Sequence, residues 1–213
     1  MRQTLSILVA LTLLGCDEDG AAVDDAADND EPVMNEDSGE DLSYSDDALV
    51  IDFGIGADES WFAVNDTVMG GVSSGEVTYT ETSLVFEGAV STDSNGGFTS
   101  VQSPDEGFDL SMYDRVLVRL KSEGQPFSMI LANNPMWYQD RFKQDITVSG
   151  TDWQTLVLPL DEFELFAFGM GYPAATGVMM TPEDAEEIFH IELMSELFVD
   201  GEFRLEVDWV AFD

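Results

Sequence analysis

Between Ala48 and Asp213 the apolar residues recur mostly with a period of two, in short runs that end at Gly, Pro, Asn, Asp or Ser. Alternation of this kind places successive side chains on opposite faces of a strand, and the bounding residues are those that favour turns. This part of the chain is therefore predicted to be all-β. The predicted strands cover residues 49–53, 76–80, 84–90, 98–102, 116–121, 127–132, 138–142, 146–148, 155–158, 190–194 and 203–212.

The last of these runs, 203–212, is the longest and has one apolar and one polar face. A one-sided pattern of this length is typical of a strand that packs on a sandwich core with its back to water. The apolar face is predicted to carry Phe203, Leu205, Val207, Trp209 and Ala211, and the polar face Arg204, Glu206 and Asp208.

One short helix is predicted to begin after Thr181. Thr181 suits the N-cap, Pro182 the first helical position, and Glu183 and Asp184 complement the positive end of the helix dipole. We expect this helix to end near Ile188. The closely spaced turn signals around it, with no internal repeat, favour a sandwich or jelly roll over a barrel or propeller.

The first sixteen residues have the features of an export signal. A basic start precedes an apolar stretch, residues 5–14, that is too short to span a bilayer as a mature helix. It ends in a Leu-Leu-Gly-Cys sequence that resembles the lipobox of bacterial lipoproteins, in which the cysteine is lipidated. We therefore expect an exported bacterial lipoprotein, anchored through Cys16 at the periplasmic face or the cell surface; a plain secretory signal is the alternative. Cys16 is the only cysteine, so no internal disulfide can form.

Residues 17–47 contain fourteen Asp or Glu and no Lys or Arg. With few apolar side chains larger than alanine, the segment cannot bury enough surface to offset the entropy of ordering it. It is predicted to be a disordered tether that charge repulsion keeps extended. Chelation of calcium or docking of a basic partner is the alternative use of its carboxylates.

Residues 48–213 suffice for one β-rich domain and are too few for two. This domain carries thirty acidic residues against six basic ones, a net charge of −24. Nucleic acids and anionic lipid headgroups would be repelled, so both are excluded as partners. Any membrane association should come from the lipid anchor alone.

Two glycine pairs, within residues 65–73 and 94–98, punctuate the apolar runs. A glycine pair supplies positive φ or lets another backbone approach closely, and the Asn-Asp ahead of the first pair can bond its own backbone. We interpret both segments as turns that shape the domain, with contact to a ligand or partner as the alternative. The positions assigned this structural role are Trp61, Asn65, Asp66, Met69, Gly70, Gly71, Ser73, Gly96, Gly97 and Phe98.

These two segments, together with Trp153, Pro159, Phe163 and the closing stretch 201–209, resemble the family of complex I intermediate-associated proteins. The resemblance implies a galactose-binding-like β-sandwich, that is, a jelly roll. It also implies an assembly or chaperone-like role toward another protein, because mitochondrial members help assemble the NADH:ubiquinone oxidoreductase of the respiratory chain. An exported bacterial protein does not meet that complex in the same way, so a direct role in complex I assembly is not expected.

Catalytic chemistry has little support in the sequence. The single histidine, His190, lies on the less apolar face of a predicted strand, has no surrounding motif for nucleophilic catalysis, and is interpreted as structural. Neither glycine pair has the spacing or the following helix that phosphate or dinucleotide binding requires, so no cofactor is predicted. Glycoside hydrolysis by paired carboxylates is the remote alternative. Its candidates are Asp140, Asp145, Glu192 and Glu206.

Several loops offer the oxygen ligands that calcium prefers, although none matches an EF-hand. A structural calcium ion is left open, without assigned ligands, whereas zinc is not expected because histidine and cysteine are almost absent. The loops in question carry Asp66, Asp93, Asn95, Asp105 and Asp109.

The segment 133–141 is the best candidate recognition surface. Its aromatic side chains offer flat faces to a sugar ring or a partner side chain, and its polar ones offer oriented hydrogen bonds. The alternative is that the aromatic rings cap the core. A second, methionine-rich stretch, 163–180, suits protein binding if exposed and core packing if buried. The candidate contact residues are Asn133, Asn134, Trp137, Tyr138, Asp140 and Arg141.

The sequence thus predicts a non-catalytic binding module on an exported lipoprotein. The resemblance favours another protein as its ligand. Carbohydrate binding at the cell envelope, through Trp137 and Tyr138, is the alternative.

Overall fold

Two antiparallel β-sheets, of six and seven strands, pack face to face around one core. This architecture confirms the predicted all-β sandwich. It comes from a computed structural model that describes residues 42–136, 138–148, 150–167 and 173–213, apart from the side chains of Val68 and Asn95.

Several sequence predictions lie outside these described residues. They are the signal segment 1–16 with Cys16, the tether as far as residue 41, Trp137, and residues 168–172 of the methionine-rich stretch. In the described part of the chain, no helix is long and apolar enough to cross a membrane.

The strands in chain order are β1 (Leu49–Asp52), β2 (Phe62–Asn65), β3 (Ser74–Tyr79), β4 (Leu84–Val90), β5 (Thr99–Gln102), β6 (Arg115–Glu123), β7 (Phe127–Ala132), β8 (Arg141–Ile146), β9 (Gln154–Pro159), β10 (Glu164–Ala167), β11 (Ala174–Met179), β12 (His190–Ser195) and β13 (Gly201–Phe212). The six-stranded sheet has the order β3-β4-β13-β6-β9, with β1 also paired to β13, and the seven-stranded sheet the order β11-β10-β8-β7-β12-β5-β2. Short 3₁₀ helices cover Asp66–Met69, Asp93–Asn95 and Leu160–Glu162.

A cluster of three phenylalanine rings joins the two sheets. Phe86 and Phe203 belong to the six-stranded sheet and stand 4.8 Å apart, centroid to centroid. Phe127 of the seven-stranded sheet meets Phe203 edge-on at 5.6 Å. Such tilted and edge-on pairs contribute about 1 kcal/mol each beyond the area they bury. The inward alternation of β4, β7 and β13 therefore sets how the sheets stack.

The strand predictions fail in two ways: one strand was divided in two, and three strands were missed. Residues 138–142 and 146–148 were predicted as separate strands, but one strand, Arg141–Ile146, replaces both. The alternation of apolar and polar residues also did not predict β2, β10 and β11. β11 is exposed along its whole length, so it carries no burial pattern that alternation could reveal.

The helix predicted after Thr181 is wrong, although its start signal is present. Thr181 and Asp184 exchange side-chain and backbone hydrogen bonds, with the Thr181 hydroxyl 2.6 Å from the Asp184 carboxylate. The turn stops after Ala185 because Ile188 instead pairs with Phe108, each backbone N–H donating to the other's carbonyl at 2.8 and 2.7 Å. The backbone groups of Ile188 are thus already paired with Phe108 and cannot extend a helix.

The predicted core face of the last strand is correct only in its first half. A bulge between Val207 and Trp209 shifts the pairing of β13 with β6. Beyond it, Val210 and Phe212 occupy the core, and Trp209 is displaced to the other side. There the Trp209 ring meets Tyr44 edge-on at 4.9 Å.

Each of the six bases of the domain forms an ion pair. The pairs join Arg115 to Asp213, Arg119 to Asp208, Lys121 to Glu206, Arg141 to Glu192, Lys143 to Asp145, and Arg204 to Glu87 and Glu206. Hydrogen bonds from Ser45 and Arg115 lower the pKa of Asp213 to about 2, so this carboxylate remains charged at mildly acidic pH. Because the positive charges are neutralised locally, the remaining carboxylates give the surface a negative field.

Candidate ligand-binding face

The seven-stranded sheet has a second face that points away from the core, called here the outer face. On β12, Ile191 and Leu193 belong to the core, so alternation directs His190, Glu192 and Met194 to the outer face. All three outer side chains are nevertheless only 3% exposed. Polar groups held in place at this depth are what a specific binding face requires.

Strand register brings the polar and aromatic side chains of the outer face into rows. Glu192 is at the centre, because β12 lies between β7 and β5. Residues that are far apart in the chain thereby lie in one continuous row across the sheet. The central row consists of Glu164, Lys143, Ile130, Glu192, Gln102 and Phe62.

A buried ion pair crosses this face. Arg141 Nη1 lies 2.7 Å from Glu192 Oε2, and the two side chains are 8% and 4% exposed. They belong to β8 and β12, with β7 between them, so the arginine spans two strand spacings of about 4.8 Å each. Ile130 and the small Ala132 of β7 lie beneath that path. The pair is charge-neutral as a unit, and it fixes two hydrogen-bonding groups on the outer face.

His190 lies beside this pair, two residues from Glu192 on the same face. Its Nδ1 is 3.0 Å from the carboxylate of Asp105. Among the described residues, the other ring nitrogen, Nε2, is buried without a hydrogen-bond partner, and the same holds for Ser100 Oγ in β5 of the same sheet.

Lys143 and Asp145 occupy the far side of the outer face. Asp145 accepts hydrogen bonds from Lys143 and, at 2.9 Å, from the Ser128 hydroxyl. Partial burial acts to raise the pKa of Asp145, but the bonds from Lys143 and Ser128 outweigh it and lower the pKa. Lys143 Nζ also lies 5.2 Å from the centre of the Phe166 ring. The positive charge of Lys143, like that of Arg141, is therefore neutralised by a carboxylate of the protein.

The predicted recognition segment 133–141 is the connection from β7 to β8, at one end of the outer face. Asn134 Oδ1 accepts from the Met136 N–H at 3.1 Å and the Asn134 amide bonds Gln139, so the loop is internally braced. Tyr138 is 53% exposed. Asn133 is half-buried, Asp140 is exposed, and Arg141 is buried in the ion pair.

Exposed aromatic rings flank the outer face. Phe62 is 46% exposed on the edge strand β2, and Phe166 is half-buried on β10 at the other side. With Tyr138 at the end of the face, these rings surround the buried polar groups on several sides. Sequence alternation could have placed His190 and Glu192 together, but Phe62 lies in a strand that the pattern did not reveal.

The Asn-Asp-Gly-Gly segment forms a separate, internal network. The Asp66 carboxylate is fully buried and accepts hydrogen bonds from the Ser73 N–H at 3.0 Å and the Ser73 hydroxyl at 2.5 Å. It also accepts from the backbone N–H groups of Gly97 at 2.7 Å and Phe98 at 3.3 Å. One carboxylate therefore ties the two glycine-containing loops to each other.

Glycine is needed around this carboxylate because there is no room for a side chain. A Cβ on Gly71 would lie 2.3 Å from Asp66 Cγ, and one on Gly96 would lie 2.5 Å from Asp66 Oδ2. Asn65, the preceding residue, accepts from the Gly75 N–H at 2.8 Å and from the Thr99 hydroxyl at 2.5 Å. Asn65 and Asp66 together connect β2, β3 and β5.

Of the four candidate catalytic carboxylates, Asp140 lies in the connection from β7 to β8, and the other three are divided between the sheets. Asp145 and Glu192 lie on the outer face, each bonded to a base. Glu206 is on β13 of the six-stranded sheet, where it pairs with Lys121 and accepts from Ser83. The described residues contain no group of three or more His, Cys, Asp or Glu arranged to hold a metal ion.

Comparison with known proteins gives one family and a set of structures with the same fold. The family model described as complex I intermediate-associated protein 30 (CIA30) matches residues 51–207. A search of curated protein sequences gives no significant match.

Solved structures with a similar fold include carbohydrate-binding modules and part of an agarase. The family 11 carbohydrate-binding module of the cellulosomal cellulase Lic26A-Cel5E of Clostridium thermocellum is 14% identical, with a TM-score of 0.57 over 79% of this chain and 96% of that chain. A Clostridium thermocellum family 11 module in complex with a β-1,3-1,4-mixed-linked tetrasaccharide is 18% identical, with a TM-score of 0.52 over 78% and 95%. The agarase AgWH50C is 14% identical, with a TM-score of 0.50 over 78% of this chain and 24% of that chain. At these identities the likeness establishes the shared fold.

Proposed function

From the premise that this chain belongs to the complex I intermediate-associated protein 30 family, we propose that it is a non-catalytic binding module whose ligand is a neutral glycan, held on the outer face of the seven-stranded sheet. The observation that carries this proposal is the set of buried hydrogen-bonding groups on that face, Glu192, Arg141 and His190, flanked by the rings of Phe62 and Tyr138. A sugar presents hydroxyl groups to such polar atoms and C–H faces to such rings.

Charge supports a neutral ligand. Both bases of the outer face, Arg141 and Lys143, are already paired with carboxylates of the protein. An anionic ligand would find no uncompensated cation there and would meet the field of a domain with net charge −24. Hydroxyl groups carry no such penalty.

The structural matches agree with this assignment without deciding it. One of them is a module whose description includes a bound mixed-linked tetrasaccharide, and this chain shares its sandwich fold. The proposal rests on the side chains of this protein, because the fold itself supports many functions.

A protein partner is the second candidate function, in line with the family's description as an associated protein of a complex I intermediate. The specific observation in its favour is an exposed apolar surface at another place on the domain, where Met69, Val72 and Phe198 are 50%, 56% and 44% exposed. That surface lies in the connections from β2 to β3 and from β12 to β13, beyond the ends of two strands of the seven-stranded sheet.

We expect Phe62→Ala to weaken glycan binding about tenfold, because one ring stacked on a sugar contributes on the order of 1 kcal/mol or more. The test is a glycan array to identify a ligand, followed by calorimetric titration of wild type and variant. Met112→Ala is the matched control, since Met112 is 87% exposed and lies outside the outer face. An array with no saturable ligand, or equal affinities for Phe62→Ala and Met112→Ala, would contradict the proposal.

We also propose that the domain is carried by a lipid anchor on Cys16 and set off from the membrane by the acidic tether. The motivating feature is the lipobox-like sequence at the end of the apolar stretch 5–14. Intact-mass measurement on membrane-extracted protein should show a chain that begins at Cys16 with acyl groups attached. Cys16→Ser should abolish that mass, and an unmodified soluble chain in the wild type would refute the anchor.

A further inference from the structure

Three loops meet at one end of the sandwich, called here the motif end: residues 66–73, 91–98 and 196–202, the last of which includes the first two residues of β13. The Asp66 carboxylate bonds the first loop to the second. The Phe198 N–H donates to the Gly97 carbonyl at 2.7 Å, which joins the third loop to the second. The Thr92 N–H donates to the Asp200 carboxylate at 2.6 Å, a second link between them. The three loops therefore form one connected surface.

This surface exposes four large apolar side chains: Met69 at 50%, Val72 at 56%, Phe198 at 44% and Val199 at 40%. A single exposed apolar residue needs no explanation, but a group on adjoining, hydrogen-bonded loops does. The buried carboxylate beneath them holds these loops in a fixed arrangement. A preformed apolar surface of this kind is typical of protein-binding sites.

Backbone strain is concentrated at the same place. Among the described residues, Ser94 and Phe198 are the non-glycine positions with positive φ, both at 61°. The left-handed conformation costs about 1–2 kcal/mol for a residue with a side chain. The Phe198 ring is nearly half exposed, and its N–H donates to the Gly97 carbonyl. The strained conformation thus fixes the junction of two of the loops while it leaves much of the ring on the surface.

Charge defines the chemistry of the partner. Besides the buried Asp66, the three loops contain Asp93, Glu196, Asp200 and Glu202 around the apolar residues, and no Lys or Arg. A second copy of this chain would bring like charges together, and an anionic lipid surface or nucleic acid would also be repelled. A basic partner is attracted by the same field.

We propose that the motif end is a docking surface for a protein segment that has apolar residues flanked by Lys or Arg. The apolar side chains of the segment pack on Met69, Val72 and Phe198, and its basic flanks face the surrounding carboxylates. This proposal rests on the second candidate function, protein binding, and assigns that function its own surface, separate from the outer face.

The test is selection of peptides from a random displayed library on the full-length protein, with affinities then measured by fluorescence anisotropy. Phe198→Asn removes the ring while keeping a residue that tolerates positive φ, and Val72→Asn is an independent second variant. Met112→Asn is the matched control, since Met112 is 87% exposed elsewhere. Thermal unfolding of each variant checks that the fold is retained.

We expect the selected peptides to share an apolar centre with basic flanks and to lose at least about tenfold in affinity with Phe198→Asn or Val72→Asn, but not with Met112→Asn. Added salt should weaken binding. Peptides that bind all variants equally would refute this location, whereas failure to select any peptide would refute the protein-binding function as well. Self-association that the two variants abolish would replace the proposed partner with a second copy. Glycan binding on the outer face should be the same in all these variants.

Discussion

Replacement of Asp66 by alanine is expected to lower the free energy of unfolding by about 4 kcal/mol, a large share of the stability of a domain this size. The Asp66 side chain is fully buried and accepts four hydrogen bonds, three of them from backbone N–H groups. Without the carboxylate these donors remain buried and unsatisfied, and each costs about 1–3 kcal/mol. Urea unfolding followed by tryptophan fluorescence measures the change.

Two further variants make this test specific. Asp66→Asn keeps the shape of the side chain but turns an amide N–H₂ toward donors, so it should also destabilise the domain, by about 2 kcal/mol or more. Asp152→Ala, at an exposed aspartate, is the control and should stay within about 0.5 kcal/mol of wild type. An Asp66→Ala variant as stable as this control would show that the network contributes nothing to the fold.

The network also shows how much of the motif could be predicted from the sequence. Glycine pairs indicate turns, and that interpretation needs no tertiary information. The reason for Gly96 is different: it makes room for the carboxylate of Asp66, thirty residues earlier in the chain. Spacing along the sequence cannot reveal such a contact, because the two loops become neighbours only after β2 and β5 pair.

The strands illustrate the same limit. Alternation predicts β4, β7 and β12 because each has a face in the core. It misses β11, since an edge strand exposed throughout has no burial pattern. It also places Trp209 on the wrong side, because a bulge changes the phase of β13 without any mark in the sequence.

The candidate binding face includes part of the recognition segment that the sequence predicts. The segment 133–141 does lie at one end of the outer face, and its Arg141 contributes the buried cation. The partner of that cation, Glu192, is 51 residues away and on a non-adjacent strand. With thirty acidic residues in the domain, no sequence argument could select Glu192 from the others. Strand order, which is a property of the folded sheet, decides the pairing.

The outer face and the motif end differ in surface chemistry, so they suit different ligands. Buried, charge-compensated polar groups with flanking rings suit a ligand rich in hydroxyl groups. Exposed apolar side chains within an acidic border suit a basic protein segment. Because Phe62 and Phe198 lie on the two different surfaces, single substitutions can test the two proposed binding functions separately.

Arg141→Met is expected to destabilise the domain by about 3–5 kcal/mol, because it leaves the Glu192 carboxylate buried without its cationic partner. The double variant Arg141→Met with Glu192→Leu should recover most of this loss. Apolar side chains fit above Ile130 and Ala132, and replacement of a buried ion pair by packed apolar residues is often neutral or stabilising. Urea unfolding of the wild type, both single variants and the double variant gives the coupling free energy, which should exceed about 2 kcal/mol.

The same double variant tests whether the Arg141–Glu192 ion pair serves only the fold or also binds the glycan. If the fold alone required the charges, a stable double variant would bind glycan as the wild type does. We instead expect its affinity to fall at least tenfold despite restored stability, because the oriented donor and acceptor on the outer face are gone. Calorimetric titration with the glycan identified on the array measures this. A stable double variant with unchanged affinity would show that Arg141 and Glu192 hold β8 and β12 together and take no part in binding.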